Sequence, residues 1–284
     1  TKDTALLPQL VWIGIFISMA VKVPMVPFHT WLPDAHVQAP TSGSVILAGI
    51  LLKVGGYGMI RVLLQILPDF SNYYALYVMY ISVAAIIYGS YVAMTQYDMK
   101  KMIAYSSVAH MGYVTAGIFS MNAQGLEGSM LQMLSHGLIS SGLFLVVGML
   151  YDRMHTKEIA AYGGVASRMP LLATFFMILV MGSVGLPGTS GFVAEFISLV
   201  GIFKYNMVLG IIAAFGVVLG AIYMLLLYKN IMFGEITNPK IKKITDLGLH
   251  EVSILSVLCI LTVIIGIQPE YILSIFRLGL SGIL

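Results

Sequence analysis

The sequence predicts an all-α polytopic membrane protein with about eight transmembrane helices, two of them broken, in the manner of an inverted-repeat bundle. Three observations predict it. The chain of 284 residues is 59% hydrophobic and only 10% charged, with a mean hydropathy of +0.94. That balance makes lipid, not water, the solvent for most of it. Apolar runs of spanning length, about 18–25 residues, recur along nearly the whole chain. Finally, two of those runs are interrupted, and each interruption carries an ionisable residue.

The first run covers residues 6–27. Pro24 and Pro27 break it near its end, because each ring removes a backbone donor and clashes with the preceding turn. Runs at 41–67, 73–94, 102–120 and 126–150 follow on short connections. The sixth, 170–203, is too long for a simple crossing and is interrupted by Gly185-Leu-Pro-Gly-Thr-Ser-Gly191. Runs at 207–228 and 250–267 complete the set, and residues 269–284 read as an interfacial tail. The first and sixth runs point in opposite directions. Matched, interrupted helices of opposite direction mark inverted-repeat transporters, whose site lies at the breaks. One transmembrane domain over 1–284 follows: the end of a first repeat in 1–67, a second repeat in 73–228, and a final helix and tail in 250–284.

Charge sets the orientation. Lys100, Lys101, Arg153, Lys157, Arg168, Lys229, Lys240, Lys242 and Lys243 fall on one side; Lys2, Lys204, Arg277 and Arg61 fall on the other. The richer side is expected to face the cytoplasm or a mitochondrial matrix. The connection holding His29, Asp34 and His36 then lies inside. Those three are read as parts of a loop held by hydrogen bonds, not as metal ligands. A single cysteine, Cys259, excludes an intrachain disulfide and disfavours a cysteine-based metal site. The net charge of +3 is too small to suggest nucleic acid as a partner.

Three charges intrude where lipid should exclude them. Lys53 sits near the middle of 41–67, Lys22 lies just ahead of Pro24, and Glu195 follows the second break. A charge at the centre of an inserting helix costs roughly 2.5–3.5 kcal/mol, so such residues tend to face a polar interior and mark proton or ion paths. Ser106, His110 and Tyr113 share one face of the fourth run, and Gln132, His136 and Ser140 form a stripe on the fifth. With Lys53 they would line a hydrated seam. Lysine, histidine and glutamate with movable partners can change protonation near neutral pH, so Lys53, His110, His136 and Glu195 form a relay that needs no metal or cofactor. Plainer readings stand beside this one. A membrane histidine can simply hydrogen-bond a neighbour, Lys22 can snorkel to the interface, and Glu195 can cap the half-helix after the break.

Several stretches are also familiar. Val21-Lys-Val-Pro-Met-Val-Pro-Phe-His-Thr-Trp-Leu-Pro-Asp-Ala-His-Val-Gln-Ala-Pro-Thr41, Leu47-Ala-Gly-Ile-Leu-Leu-Lys53, Asp98-Met-Lys-Lys-Met-Ile-Ala-Tyr-Ser-Ser-Val-Ala-His-Met-Gly112 and Leu134-Ser-His-Gly-Leu138 resemble the antiporter-like proton-channel subunits of respiratory complex I. The resemblance covers nearly the whole chain. Glu195 points to the M-type branch, since the L- and N-type paralogues usually carry lysine there. The resemblance implies a relay of Lys22 (a switchable site paired with a glutamate), Lys53 (the link between halves), His110, His136 and Glu195 (its acidic end). Quinone reduction elsewhere would drive it, and this chain would hold no redox centre. NADH, FMN, iron–sulfur clusters and quinone would be bound by other subunits. Partners would be other membrane subunits, L- and N-type neighbours included, in a bacterial plasma membrane or a mitochondrial inner membrane. The family's full subunit has further spans ahead of these, so the resemblance implies a partial product in which the partner of Lys22 is missing.

Two competing classes remain at this stage. A D-type subunit of a multi-subunit Na+/H+ antiporter of the Mrp kind would share the lysines and a similar glutamate. A membrane scaffold without any proton role would leave pumping intact when Lys53 or Glu195 is replaced.

Overall fold

The computed structural model describes residues 3–280 and 282. Lys2, counted above in the orientation, and the end of the expected tail (281, 283 and 284) lie outside the described residues. Helices α1 (Asp3–Lys22), α2 (Trp31–Gln38), α3 (Thr41–Ile46) and α4 (Leu52–Gly58) come first. They are followed by α5 (Pro68–Met94), α6 (Met99–Phe119), α7 (Ala123–Met154), α8 (Pro170–Val184) and α9 (Ser190–Tyr205). Finally come α10 (Met207–Met232), α11 (Leu249–Ile267) and α12 (Glu270–Leu280). Among the described residues there is no strand beyond an isolated bridge between Asp98 and Glu158.

The helix ends are chemically marked. Pro68 and Pro170 open α5 and α8, where a missing N–H costs nothing. Side-chain oxygens of Asp98, Asn122 and Asn206 accept from the first-turn amides of α6, α7 and α10. Gly185 ends α8 at φ +80, a left-handed conformation that a Cβ would strain.

Five segments are long and apolar enough to cross a membrane by length and composition: Thr41–Leu64 (α3, α4 and the π-helical turns around them), α5, α7, α10 and α11. The remaining expected spans are α6, whose face is more polar, and the two broken ones. α1 with α2 forms the first; α8 with α9 forms the second. Outward-facing apolar side chains such as Phe215, Val218, Val257 and Ile264 then meet lipid and need no other partner.

One expectation changes here. Residues 31–38 are helix α2, not a loop held by side-chain hydrogen bonds. His36 is fully buried with its ring stacked on Phe144 at 4.3 Å, and neither ring nitrogen has a hydrogen-bond partner among the described residues. The polar anchors come from elsewhere. Lys100 donates to Ala39 O at 2.9 Å, Lys157 to Val37 O at 2.5 Å, and Ser44 to His36 O at 3.2 Å. Lys157 and Lys100 thus satisfy carbonyls at the C-terminal end of α2, where a helix favours cations.

α6 and α7 form the hub. Small residues let neighbours approach: a Cβ on Gly112 would sit 2.9 Å from Ser82 O of α5, and one on Gly89 3.0 Å from the Ala109 amide of α6. Such packing, not exclusion of water, holds helices together in lipid. Two apolar clusters result. One gathers α1, α4, α5 and the second half of α6; the other gathers the start of α6, the second half of α7, α8 and α10. The polar residues of α6 and α7 lie where the two clusters meet. Within the tail, helix α12 buries Leu273 against Leu131, Ala194 and Ile265.

Candidate functional site

Lys53 lies on α4 between two π-helical turns, Leu47–Leu51 and Met59–Leu64. Such turns widen the backbone and recur at functional sites. Here the first offers the Ala48 carbonyl to the Lys53 ammonium, which donates to it. The same Nζ lies 2.7 Å from His136 Nδ1 on α7. Close helix approach makes this contact possible: a Cβ on Gly137 would sit 3.0 Å from Gly49 O and 3.6 Å from Lys53 Cε. The lysine stem borders a groove of about 580 Å³ between α4, α7 and α11, while its amine points inward.

The line continues from His136. Its ring centroid lies 5.6 Å from that of His110 on α6. His110 Nδ1 is 2.7 Å from Glu195 Oε1, and its Nε2 is 3.2 Å from Ser183 Oγ. Gln132 donates to the same Glu195 oxygen at 3.1 Å. All three of His110, His136 and Glu195 are less than a tenth exposed. They line, with Ser106, Gln132 and Ser140, a small space of about 10 Å³. That is room for roughly one water. His136 Nε2 is buried without a hydrogen-bond partner among the described residues, so the ring has a position left for proton exchange.

Two protonation states are chemically open at each close pair. Lys53 either donates as ammonium to a neutral imidazole or accepts as amine from His136 N–H. His110 and Glu195 hold one proton between nitrogen and oxygen, as imidazolium with carboxylate or as imidazole with carboxylic acid. Each exchange moves a proton by under an ångström along a short contact, and the cavity spans the remaining gap between the rings. The arrangement can therefore pass protons along Lys53, His136, His110 and Glu195.

Four of the five expected relay residues are thus brought together; Ser106 and His110 face inward with Gln132, His136 and Ser140, while Tyr113 does not. Lys22 is not among the four. It ends α1 on an exposed face and has no side-chain partner among the described residues. Tyr113 turns away toward α10 and donates to Ala213 O at 2.8 Å. Ser183 and the Ala48 carbonyl were missed. A serine beside Gly182, just ahead of the break, was the available signal for the first; the π-helical turn leaves none. Among the described residues, no group of three or more His, Cys, Asp or Glu is placed to hold a metal ion.

Comparison with known proteins gives consistent results. A family model described as "NADH:quinone oxidoreductase/Mrp antiporter, TM" matches residues 4–266. The chain is 62% identical over 276 residues to NADH-quinone oxidoreductase subunit M of Rickettsia bellii (strain RML369-C), covering 97% of this chain and 56% of that one. It thus spans little more than half the length of that relative. A chain of respiratory complex I from Thermus thermophilus with bound NADH superimposes with a TM-score of 0.88 at 30% identity, over 97% of this chain and 57% of that chain. A chain of the Mrp complex from Dietzia sp. DQ12-45-1b gives 0.87 at 21% identity, over 100% and 59%, which is a likeness of fold alone.

Proposed function

From the premise that the chain belongs to the NADH:quinone oxidoreductase/Mrp antiporter transmembrane family, we propose that it is a proton-translocating part of the membrane arm of NADH:quinone oxidoreductase. Protons move along Lys53, His136, His110 and Glu195, and quinone reduction in other subunits supplies the drive. The observation that carries this reading is the pair of 2.7 Å contacts at its two ends, Lys53 with His136 and His110 with Glu195, joined by a small cavity that His136, His110 and Glu195 line. NADH, FMN, iron–sulfur clusters and quinone belong to other subunits of the assembly, and L- and N-type paralogues are the expected neighbours. Lys22 is the entry to the same relay once the residues that pair with it are present.

Fold does not separate this reading from an antiporter subunit, since the two superpositions score almost equally. Sequence does: identity is 62% to a subunit M and 21% to the Mrp chain. The test uses the full-length subunit in its assembled complex. Lys53→Ala and Glu195→Gln are each expected to lower NADH-driven proton uptake into inverted membrane vesicles by tenfold or more, with the complex present in normal amounts. Wild-type uptake in both variants would falsify the relay and leave a scaffold.

A further inference from the structure

The connection between α10 and α11 is pinned to the end of α7 by bonds that engage the nearby carboxylates and leave two amines over. Arg153, in the last turn of α7, donates through Nε to Thr245 O at 2.9 Å and through Nη2 to Asp246 O at 3.2 Å. Both Glu251 oxygens accept from the same guanidinium, at 2.9 and 2.7 Å, and one of them also accepts from the Gly248 amide. The two oxygens of Asp246 accept from the Leu171 and Leu172 amides at the start of α8. Ile241 is fully buried and anchors the connection from below. Each of these carboxylates is therefore committed to holding the segment in place.

Beside these struts lies a pocket of about 380 Å³, lined by Arg153, His155, Lys240, Lys243, Ile244 and Thr245. No carboxylate lines it, and Asp152, next to Arg153 in the chain, is exposed outside the lining. Lys240 and Lys243 are exposed, and neither ammonium has a hydrogen bond or an ion pair among the described residues. Other lysines of this face are engaged: Lys100 and Lys157 donate to carbonyls at the end of α2, and Lys101 lies 3.9 Å from Asp34. Two uncompensated ammonium groups in one concavity suit an anion with several acceptor oxygens.

Depth selects among anions. α7 ends at Met154 and α11 begins at Leu249, so the pocket lies at headgroup level on the face richer in lysine and arginine. The neighbouring surface is apolar. Leu249 is 87% exposed at the start of α11 and Leu171 is 49% exposed at the start of α8, with Ile254 and Val257 continuing outward along α11. Free phosphate would meet only the amines, whereas a phosphodiester carrying acyl chains meets the amines and the apolar surface together. Basic pockets between spanning helices take anionic headgroups in this way. We propose that this pocket binds the headgroup of an anionic phospholipid. Its phosphate oxygens accept from Lys240 and Lys243, and its acyl chains lie along Leu171 and the outward face of α11. One lipid would then tie the α10–α11 connection to the ends of α7, α8 and α11. The site is separate from the relay and stands whether or not protons move along it.

The test uses the full-length subunit in its assembled complex, reconstituted in phosphatidylcholine vesicles. A trace of phosphatidylglycerol carries a diazirine on the first methylenes of one acyl chain, close to the headgroup. After illumination, mass spectrometry counts lipid adducts on residues 240–249. Adducts are expected at least fivefold above those from phosphatidylcholine carrying the same diazirine. The double variant Lys240→Gln, Lys243→Gln is expected to lower them fivefold or more, with the complex present in normal amounts. Equal labelling by the two probes, or undiminished labelling in the double variant, overturns the site. Displacement of the label by inorganic phosphate but not by unlabelled phosphatidylglycerol overturns the lipid as the occupant. Should the double variant fail to assemble, Lys243→Gln alone decides the matter: a twofold or greater fall in adducts supports the site, and no fall overturns it.

Discussion

The two helix breaks each carry one ionisable residue, and the fold treats them oppositely. After the second break, Glu195 is 5% exposed, and its Oε1 meets both His110 and Gln132. At the first, Lys22 stands on an exposed face with no partner among the described residues. Lipid penalises an unpaired charge by a few kcal/mol, whereas a buried charge with two close partners is compensated. Within the described residues, the second break therefore holds a compensated charge and the first an uncompensated one. Similar sequence grammar, a break beside a charge, does not guarantee similar completeness; what decides is whether the facing helices bring a partner.

Replacing Lys22 tests that contrast with the largest effect. In the full-length subunit, Lys22→Gln is expected to lower NADH-driven proton uptake about fivefold, because the relay loses its entry while Lys53 through Glu195 stay in place. Normal uptake in Lys22→Leu would break the comparison and make Lys22 an interfacial anchor. The middle of the axis responds next. Gly137→Ala places a methyl group 3.0 Å from Gly49 O and close to Lys53 Cε, so α4 must move away from α7. Overpacking of this kind destabilises by about 1–3 kcal/mol. We expect a threefold loss of uptake from a longer Lys53–His136 contact, together with a lower melting temperature of the assembled complex. A lower melting temperature with full uptake would show that the Lys53–His136 contact does not limit the relay.

Much of this was legible from residues alone. Apolar runs located the spans, since lipid leaves the backbone little choice but helix. Ser106 and His110, with Gln132, His136 and Ser140, faced inward as their spacing required, whereas Tyr113, expected on the same face as Ser106 and His110, donates to Ala213 O of α10 instead. Two features were not legible. The π-helical turn that aims Ala48 O at Lys53 depends on tertiary packing against α7, which no local propensity encodes. Helix α2 was hidden for a similar reason. Pro33 and the short, mixed-polarity segment Trp31–Gln38 read as loop, and helix is recovered only when Lys100 and Lys157 reach its last carbonyls from distant parts of the chain.

The smallest effect comes from a residue that serves the fold and not the relay. Asn206 caps α10 by accepting from the Val208 and Leu209 amides at 3.0 and 3.1 Å, near the end of α9 farthest from the break. Asn206→Ala leaves both amides to interfacial water, so the loss should be about 1 kcal/mol of stability. Proton uptake should remain at the wild-type rate, because Asn206 touches none of Lys53, His136, His110 and Glu195. Thermal unfolding of the purified complex reads the first quantity and vesicle uptake the second. A twofold or greater fall in uptake would mean that the capped end of α10 helps to set the position of α9, and with it Glu195.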